Sequence, residues 1–149
     1  MIYADHAATT KISETAKLAM LSAMEKDWYN PSSLYTPGQQ ASGTLMDARV
    51  RIAHCLACLP KEIYFTSGGS EADNQAILSA AAIGKRQGKM HIISTAFEHH
   101  AVLHTLKKLE KEGFEITLLD VGEKGIVSPA QVEKAIRPDT ALVTVMYAN

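Results

Sequence analysis

From Ile63 onward, short apolar runs alternate with longer stretches of helical spacing. Four runs rich in β-branched residues predict strands: Ile63-Tyr-Phe-Thr-Ser67, His91-Ile-Ile-Ser-Thr95, Glu115-Ile-Thr-Leu-Leu-Asp120 and Ala141-Leu-Val-Thr-Val-Met146. Their apolar character is mostly continuous, as expected of parallel strands covered by helices on both faces. Ser70 to about Gln87 carries Ala76, Ile77, Ala80, Ala81 and Ile83 on one side, then Lys85 and Arg86, which complement the helix macrodipole. His99 to Glu112 places Leu103, Leu106 and Leu109 near helical spacing, with Gly113 as its stop. Ser128 and Pro129 supply the N-cap and first turn of a third helix, running to Ile136 before Pro138. Strand–helix–strand repeated in this way predicts right-handed crossovers and an α/β, three-layer sandwich with a mostly parallel sheet.

Residues 1 to about 60 read differently, as an N-terminal helical segment ahead of the sheet. Ser13 caps a helix with apolar positions at Ala16, Ala19, Met20, Ala23 and Met24. Asn30-Pro-Ser-Ser33 and Pro37-Gly38 mark an irregular loop, and a long helix from about Gln39 to Cys58 ends at Leu59-Pro60. No repeat, low-complexity tract or linker divides the chain, so the expectation is a single partial domain, 1–149, with 1–60 as arm and helices and 61–149 as a βαβαβαβ part. Only Tyr147-Ala-Asn149 follows the last strand. That leaves a bare edge or an unfilled neighbour position, and the chain reads as truncated at its C-terminus.

Composition narrows the class. The 149 residues are about one domain's worth, and 46% apolar with 21% charged residues builds an ordinary core rather than a disordered chain. A formal charge of −1 argues against nucleic acid as partner, which needs an excess of Lys and Arg. No apolar run approaches the ~18 residues of a membrane span, and the start Met1-Ile-Tyr-Ala-Asp-His6 lacks the features of a signal peptide. Two cysteines make no disulfide framework, so a soluble cytoplasmic protein is expected.

Ligands of open parallel sheets bind beyond the carboxyl ends of the strands. Three polar features fall there: Ser67-Gly-Gly-Ser-Glu-Ala-Asp-Asn74, Phe97-Glu-His-His100 and Asn149. In the first, two glycines allow close ligand approach and positive φ, and the following helix start favours a phosphate, with Ser70 adding a hydroxyl donor. The competing reading is a plain cap, since Ser70-x-x-Asp73 fits the capping pattern. The loop is neither a Walker loop nor a G-x-G-x-x-G motif. His99 and His100 open the next helix, where a histidine can stack on a planar ring or move a proton; alternatively one caps the helix and the other is solvated. His100 and His104 share a helix face, but Ala101 stands where a zincin pattern needs Glu, and no metal site is expected. Cys55-Leu-Ala-Cys58 has redox spacing at a helix C-terminus, the wrong end for a stabilised thiolate, and reads as small buried hydrophobes. Lys107, Lys108, Lys111 and Lys134 read as solvated faces, none in a Schiff-base context.

Tyr3-Ala-Asp-His-Ala-Ala-Thr-Thr10, Asn30-Pro-Ser-Ser33, Phe65-Thr-Ser-Gly-Gly-Ser-Glu-Ala-Asp-Asn74, Glu98-His-His-Ala-Val-Leu103 and Val145-Met-Tyr-Ala-Asn149 occur in that order. Together they resemble the amino-terminal part of cysteine desulfurases of the NifS/IscS type, class V members of the fold-type-I pyridoxal 5'-phosphate (PLP) enzymes. The resemblance implies the first part of the large domain of a PLP-dependent transferase fold. It implies Gly69 and Ser70 holding the cofactor phosphate, and His99 stacked on the pyridine ring as the catalytic group for proton transfer. The implied reaction takes sulfur from L-cysteine, giving L-alanine and an enzyme persulfide for iron–sulfur cluster or thio-cofactor assembly. Implied partners are a second copy in a homodimer and a sulfur-acceptor or iron–sulfur scaffold protein.

Family members run to roughly 400 residues, beyond one typical domain. Their pyridine-contacting Asp and Gln, Schiff-base lysine and nucleophilic cysteine all come later, and Cys55 and Cys58 do not correspond to that cysteine. The chain alone is therefore expected to be inactive. Asn149 matches the first of two family asparagines, the second being the one that touches the cofactor. His6, Tyr29 and Tyr35 stand where Asn, Gly and His are usual. Selenocysteine lyase, a class V aminotransferase, a non-catalytic dimerisation fragment and a CxxC oxidoreductase remain the alternatives.

Overall fold

The computed structural model describes residues 2–148. By internal contacts the chain divides into two compact units, 1–65 and 66–149.

The first unit contains α1 (Glu14–Lys26), α2 (Thr36–Cys55) and a 3-10 turn over Pro60–Glu62. Ser13 caps α1 as expected, its hydroxyl accepting from Ala16 N–H at 3.2 Å. None of the apolar residues of α1 is buried. The Asn30 loop closes on itself: its Oδ1 accepts from Ser32 N–H at 2.9 Å, and its carbonyl from Ser33 N–H at 3.1 Å. Gly38 is required beside it, because a Cβ there would lie 2.7 Å from Ser33 Cβ and 2.8 Å from Asn30 O. α2 ends at Cys55, before the expected Cys58, because Ala57 turns to φ 52° and Cys58 N–H reaches back to Ala53 O at 3.0 Å. Cys55 is exposed and Cys58 half-buried, so the expectation of two buried hydrophobes fails: the helix end turns Cys55 outward.

The second unit contains α3 (Gly69–Arg86), β1 (His91–Thr95), α4 (His100–Lys111), β2 (Glu115–Leu119), α5 (Pro129–Ala135) and β3 (Thr140–Val143). The strands form a parallel sheet in the order β2-β1-β3. The expected strand at 63–67 is absent: residues 63–66 join no ladder among the described residues, and a strand exists only by pairing. All of β1 is buried, as its central place dictates. The core gathers Ile77 and Ala81 of α3, Ile92 of β1, Val102, Leu106 and Leu109 of α4, and Phe114. The apolar stripes are thus shifted from expectation. On α3 the buried line is Ile77, Ala81 and Gly84, while Ala76 and Ile83 face solvent. On α4 it is Val102, Thr105, Leu106 and Leu109, with Leu103 half-buried beside it.

Gly84 lets α3 sit against the sheet: a Cβ there would collide with Ala141 Cβ. Ala141 is the extra residue where the β1–β3 register shifts, His91 facing Thr140 and Ile92 facing Leu142. Gly113 stops α4 at φ 97°, with Phe114 N–H returning to Leu109 O at 3.0 Å. Ser128 and Gln131 form a capping box at α5. At the N-terminal edge of the sheet, buried His91 bridges all three strands, its Nδ1 2.8 Å from Thr140 Oγ1 and its Nε2 2.9 Å from Thr117 Oγ1. Thr140 Oγ1 also accepts from Arg137 N–H at 2.8 Å.

Candidate functional site

The carboxyl ends of β1 and β3 and the N-termini of α3 and α4 assemble the chemistry. The turn into α3 differs from a plain cap. Gly68 is the N-cap and brings no side chain, and Ser70 lies inside the first turn, so the capping reading of Ser70-x-x-Asp73 does not hold. The Glu71 carboxylate instead folds back on the residue before the cap, accepting from Ser67 N–H at 2.7 Å and Ser67 Oγ–H at 2.6 Å. Those bonds, the side-chain one foremost, hold its carboxyl below the ordinary carboxylate range. Ala72 N–H bonds to Gly68 O at 3.1 Å, while the amides of Gly69, Ser70 and Glu71 find no acceptor among the described residues. These are the uncommitted donors of a helix start, with the dipole behind them.

The glycines serve space rather than conformation. Gly68 is extended at φ 168°, and Gly69 does not adopt positive φ, contrary to expectation. A Cβ at either position would meet nothing within 4 Å. Glycine is therefore not demanded by packing inside this chain, and the backbone is left open to a close ligand. Free amides, an adjacent hydroxyl and an unobstructed approach fit a phosphate, the group through which PLP would be held.

His99 is the N-cap of α4: its Nδ1 accepts from Ala101 N–H at 3.1 Å, which places the ring proton on Nε2. The ring is exposed, so Nε2–H and the ring faces are accessible. His100 stacks on His104 with centroids 5.6 Å apart, and no cluster of metal-ligating residues forms among the described residues. The loop bearing His99 is pinned by Glu98, a buried carboxylate. Its Oε1 accepts from Thr95 Oγ–H at 2.9 Å and from Met146 N–H at 2.8 Å, tying the exit of β1 to the chain after β3. Asn149 lies outside the described residues.

The turns carrying Ser70 and His99 are neighbours, joined by a bracket that sequence reasoning passed over. Asn74 Nδ2 donates to Ser70 O at 2.6 Å and to Ala101 O at 3.4 Å, and its Oδ1 accepts from Thr105 Oγ–H. Thr105 Oγ also lies 2.8 Å from Ala101 O. Asn74 is visible in the Ser67–Asn74 motif, but only the tertiary pairing of α3 with α4 gives it a partner. A cleft of about 600 Å³ opens at the same sheet edge, among Phe97, Lys124, Ile126, Val145 and Met146. It borders the His99 loop without including Gly69 or Ser70.

A parallel α/β sheet with uncommitted helix-start amides and a histidine at its carboxyl edge presents them where ligands of open α/β sheets bind. The aminotransferase class-V family pattern matches residues 2–149, and the chain belongs to that family. It is 49% identical over 148 residues to a putative cysteine desulfurase IscS 1 of Bacillus subtilis (strain 168), covering 99% of this chain and 39% of that protein. Among solved structures it is similar to a NifS-like protein, with TM-score 0.90, 34% identity, and coverage of 97% of this chain and 40% of the other. It is similar also to SspA in complex with cysteine, with TM-score 0.87, 37% identity, and coverage of 96% and 41%. The chain thus spans about two fifths of the length of these relatives.

Proposed function

We propose that these residues form the amino-terminal, cofactor-phosphate portion of a PLP-dependent cysteine desulfurase. The observation that carries the reading is the turn at Gly68–Glu71: uncommitted amides, no side chain over them, and Ser70 Oγ beside them. Gly69 and Ser70 hold the phosphate, the helix dipole opposing its charge. Exposed His99, oriented by its bond to Ala101 N–H, offers a ring face for stacking and Nε2 for holding or moving a proton. Bound PLP supplies the electron sink for chemistry at the α-carbon of an amino acid.

The substrate is L-cysteine and the products are L-alanine and an enzyme persulfide, which passes to a sulfur acceptor of iron–sulfur or thio-cofactor assembly. The working enzyme is a cytoplasmic homodimer. Among the described residues no helix is long and apolar enough to cross a membrane. The resemblance locates the cofactor-bonding lysine and the nucleophilic cysteine beyond the matched two fifths, so the 149-residue polypeptide by itself holds PLP through its phosphate and does not turn over.

Titration of the chain with PLP, pyridoxal and inorganic phosphate, followed by amide chemical shifts, tests the reading. PLP and phosphate should move Gly69, Ser70 and Glu71, and pyridoxal should not. Phosphate-independent binding, or silence at those three amides, would overturn it. After borohydride treatment of the PLP mixture, intact mass should show no specific lysine adduct.

A further inference from the structure

We propose that Asn74 is a positioning residue that sets the spacing between the Gly69–Ser70 turn and His99, so that phosphate and ring are gripped as one unit. The inference rests on the reading of that turn as a phosphate site. It stands on the bracket itself. One side-chain amide reaches Ser70 O at 2.6 Å and Ala101 O at 3.4 Å, and Ala101 is the residue whose N–H orients His99 at 3.1 Å. The line from the α3 turn to the imidazole therefore runs through a single side chain.

The orientation of that amide is not arbitrary. Nδ2 faces two carbonyls and Oδ1 faces a hydroxyl; turning it over would set oxygen against two carbonyl oxygens. Thr105 locks the arrangement from a buried position, its one proton shared between Asn74 Oδ1 and Ala101 O. The remaining α3–α4 contact is apolar, through Ile77, Ala81, Val102 and Leu106. Apolar burial lacks the angular preference of a hydrogen bond, so the bracket supplies the directional contact between the two helix starts. Without the bracket each N-terminus keeps its own chemistry while their separation drifts, and small misplacements are costly where two grips must act on one ligand.

The test uses the 149-residue chain with inorganic phosphate and PLP as probes, comparing Asn74→Ala, Thr105→Val and Thr105→Ser, each checked for folding by circular dichroism. In the parent chain, phosphate should shift the Gly69–Glu71 amides together with Ala101 N–H and the His99 ring. In Asn74→Ala and Thr105→Val the shifts at residues 69–71 should remain and those at Ala101 and His99 should be lost; Thr105→Ser should keep both. The advantage of PLP over phosphate in Kd should shrink in the first two variants, with the phosphate Kd unchanged. Full-size responses at Ala101 and His99 in Asn74→Ala and Thr105→Val would overturn the inference while leaving the phosphate reading intact. Silence at 69–71 in the parent chain would overturn both. If Asn74→Ala fails to fold, the Thr105→Val and Thr105→Ser pair decides alone.

Discussion

His99 holds two roles at one position, a helix cap through Nδ1 and an exposed ring, and substitution can separate them. Asn caps as histidine does here, so His99→Asn should keep stability within a few tenths of a kcal/mol, while His99→Ala should lose about 1 kcal/mol. Urea titration reads the cap. Both variants should abolish whatever PLP binds through the ring. If His99→Asn retained the full PLP-over-phosphate advantage, the ring would have no part in binding. His91 carries the pH dependence. Burial foremost, then the Arg137 guanidinium, depresses its pKa, with Asp139 and Glu115 partly opposing. A folded-state value below the unfolded one means the unfolded chain binds the extra proton. The contribution of neutral His91 is thus intact above the unfolded value of about 6.5 and lost as pH falls below it. Folding stability by urea titration should be flat from pH 8 to 7 and decline toward pH 5. The carboxyls of Glu71, Glu115 and Asp139, all held low by hydrogen bonds, lose their contribution only below about 4.5, so the two windows are separable.

The elements show where a single atom governs packing. Gly84 admits Ala141 against α3, so Gly84→Ala forces helix and strand apart and should cost about 1–3 kcal/mol in urea titration. Ala57 does the opposite, holding a left-handed φ of 52° at the end of α2 where glycine is the unstrained residue. Ala57→Gly should raise stability by up to ~1 kcal/mol, and a neutral or destabilising result would mean the turn is not strained. Legibility in the sequence followed the same divide. The caps at Ser13 and Ser128 and the stop at Gly113 are local hydrogen-bond chemistry, and each appeared where the residues said it would. The run Ile63–Ser67 has the composition of a strand without forming one, because composition cannot supply a partner. The buried stripes of α3 and α4 were also displaced, since apolar residues occupy more of each helix than the sheet can cover.

At the scale of the molecule, the phosphate reading makes one sharp demand on Gly69. Because a Cβ there meets nothing within 4 Å, Gly69→Val should fold normally yet weaken PLP and phosphate binding by tenfold or more, an effect of ~1.4 kcal/mol. Calorimetric titration together with a thermal melt distinguishes this from a folding defect. Equal binding by Gly69→Val would show that no ligand approaches that side of the turn. The candidate residues come from separate segments, the α3 turn and the β1–α4 loop, and each was visible in the sequence as a polar motif ahead of a helix.

Residue order alone settled the alternation of strand and helix from β1 onward, the caps at Ser13 and Ser128, and the ordered motifs that mark the class-V family, because these depend on neighbours a few positions apart. Tertiary structure alone decided that His91 ties three strands and that Asn74 and Thr105 join two helix starts. Those bonds span up to 49 positions of sequence, and no local spacing encodes which donor will meet which acceptor once the sheet has closed.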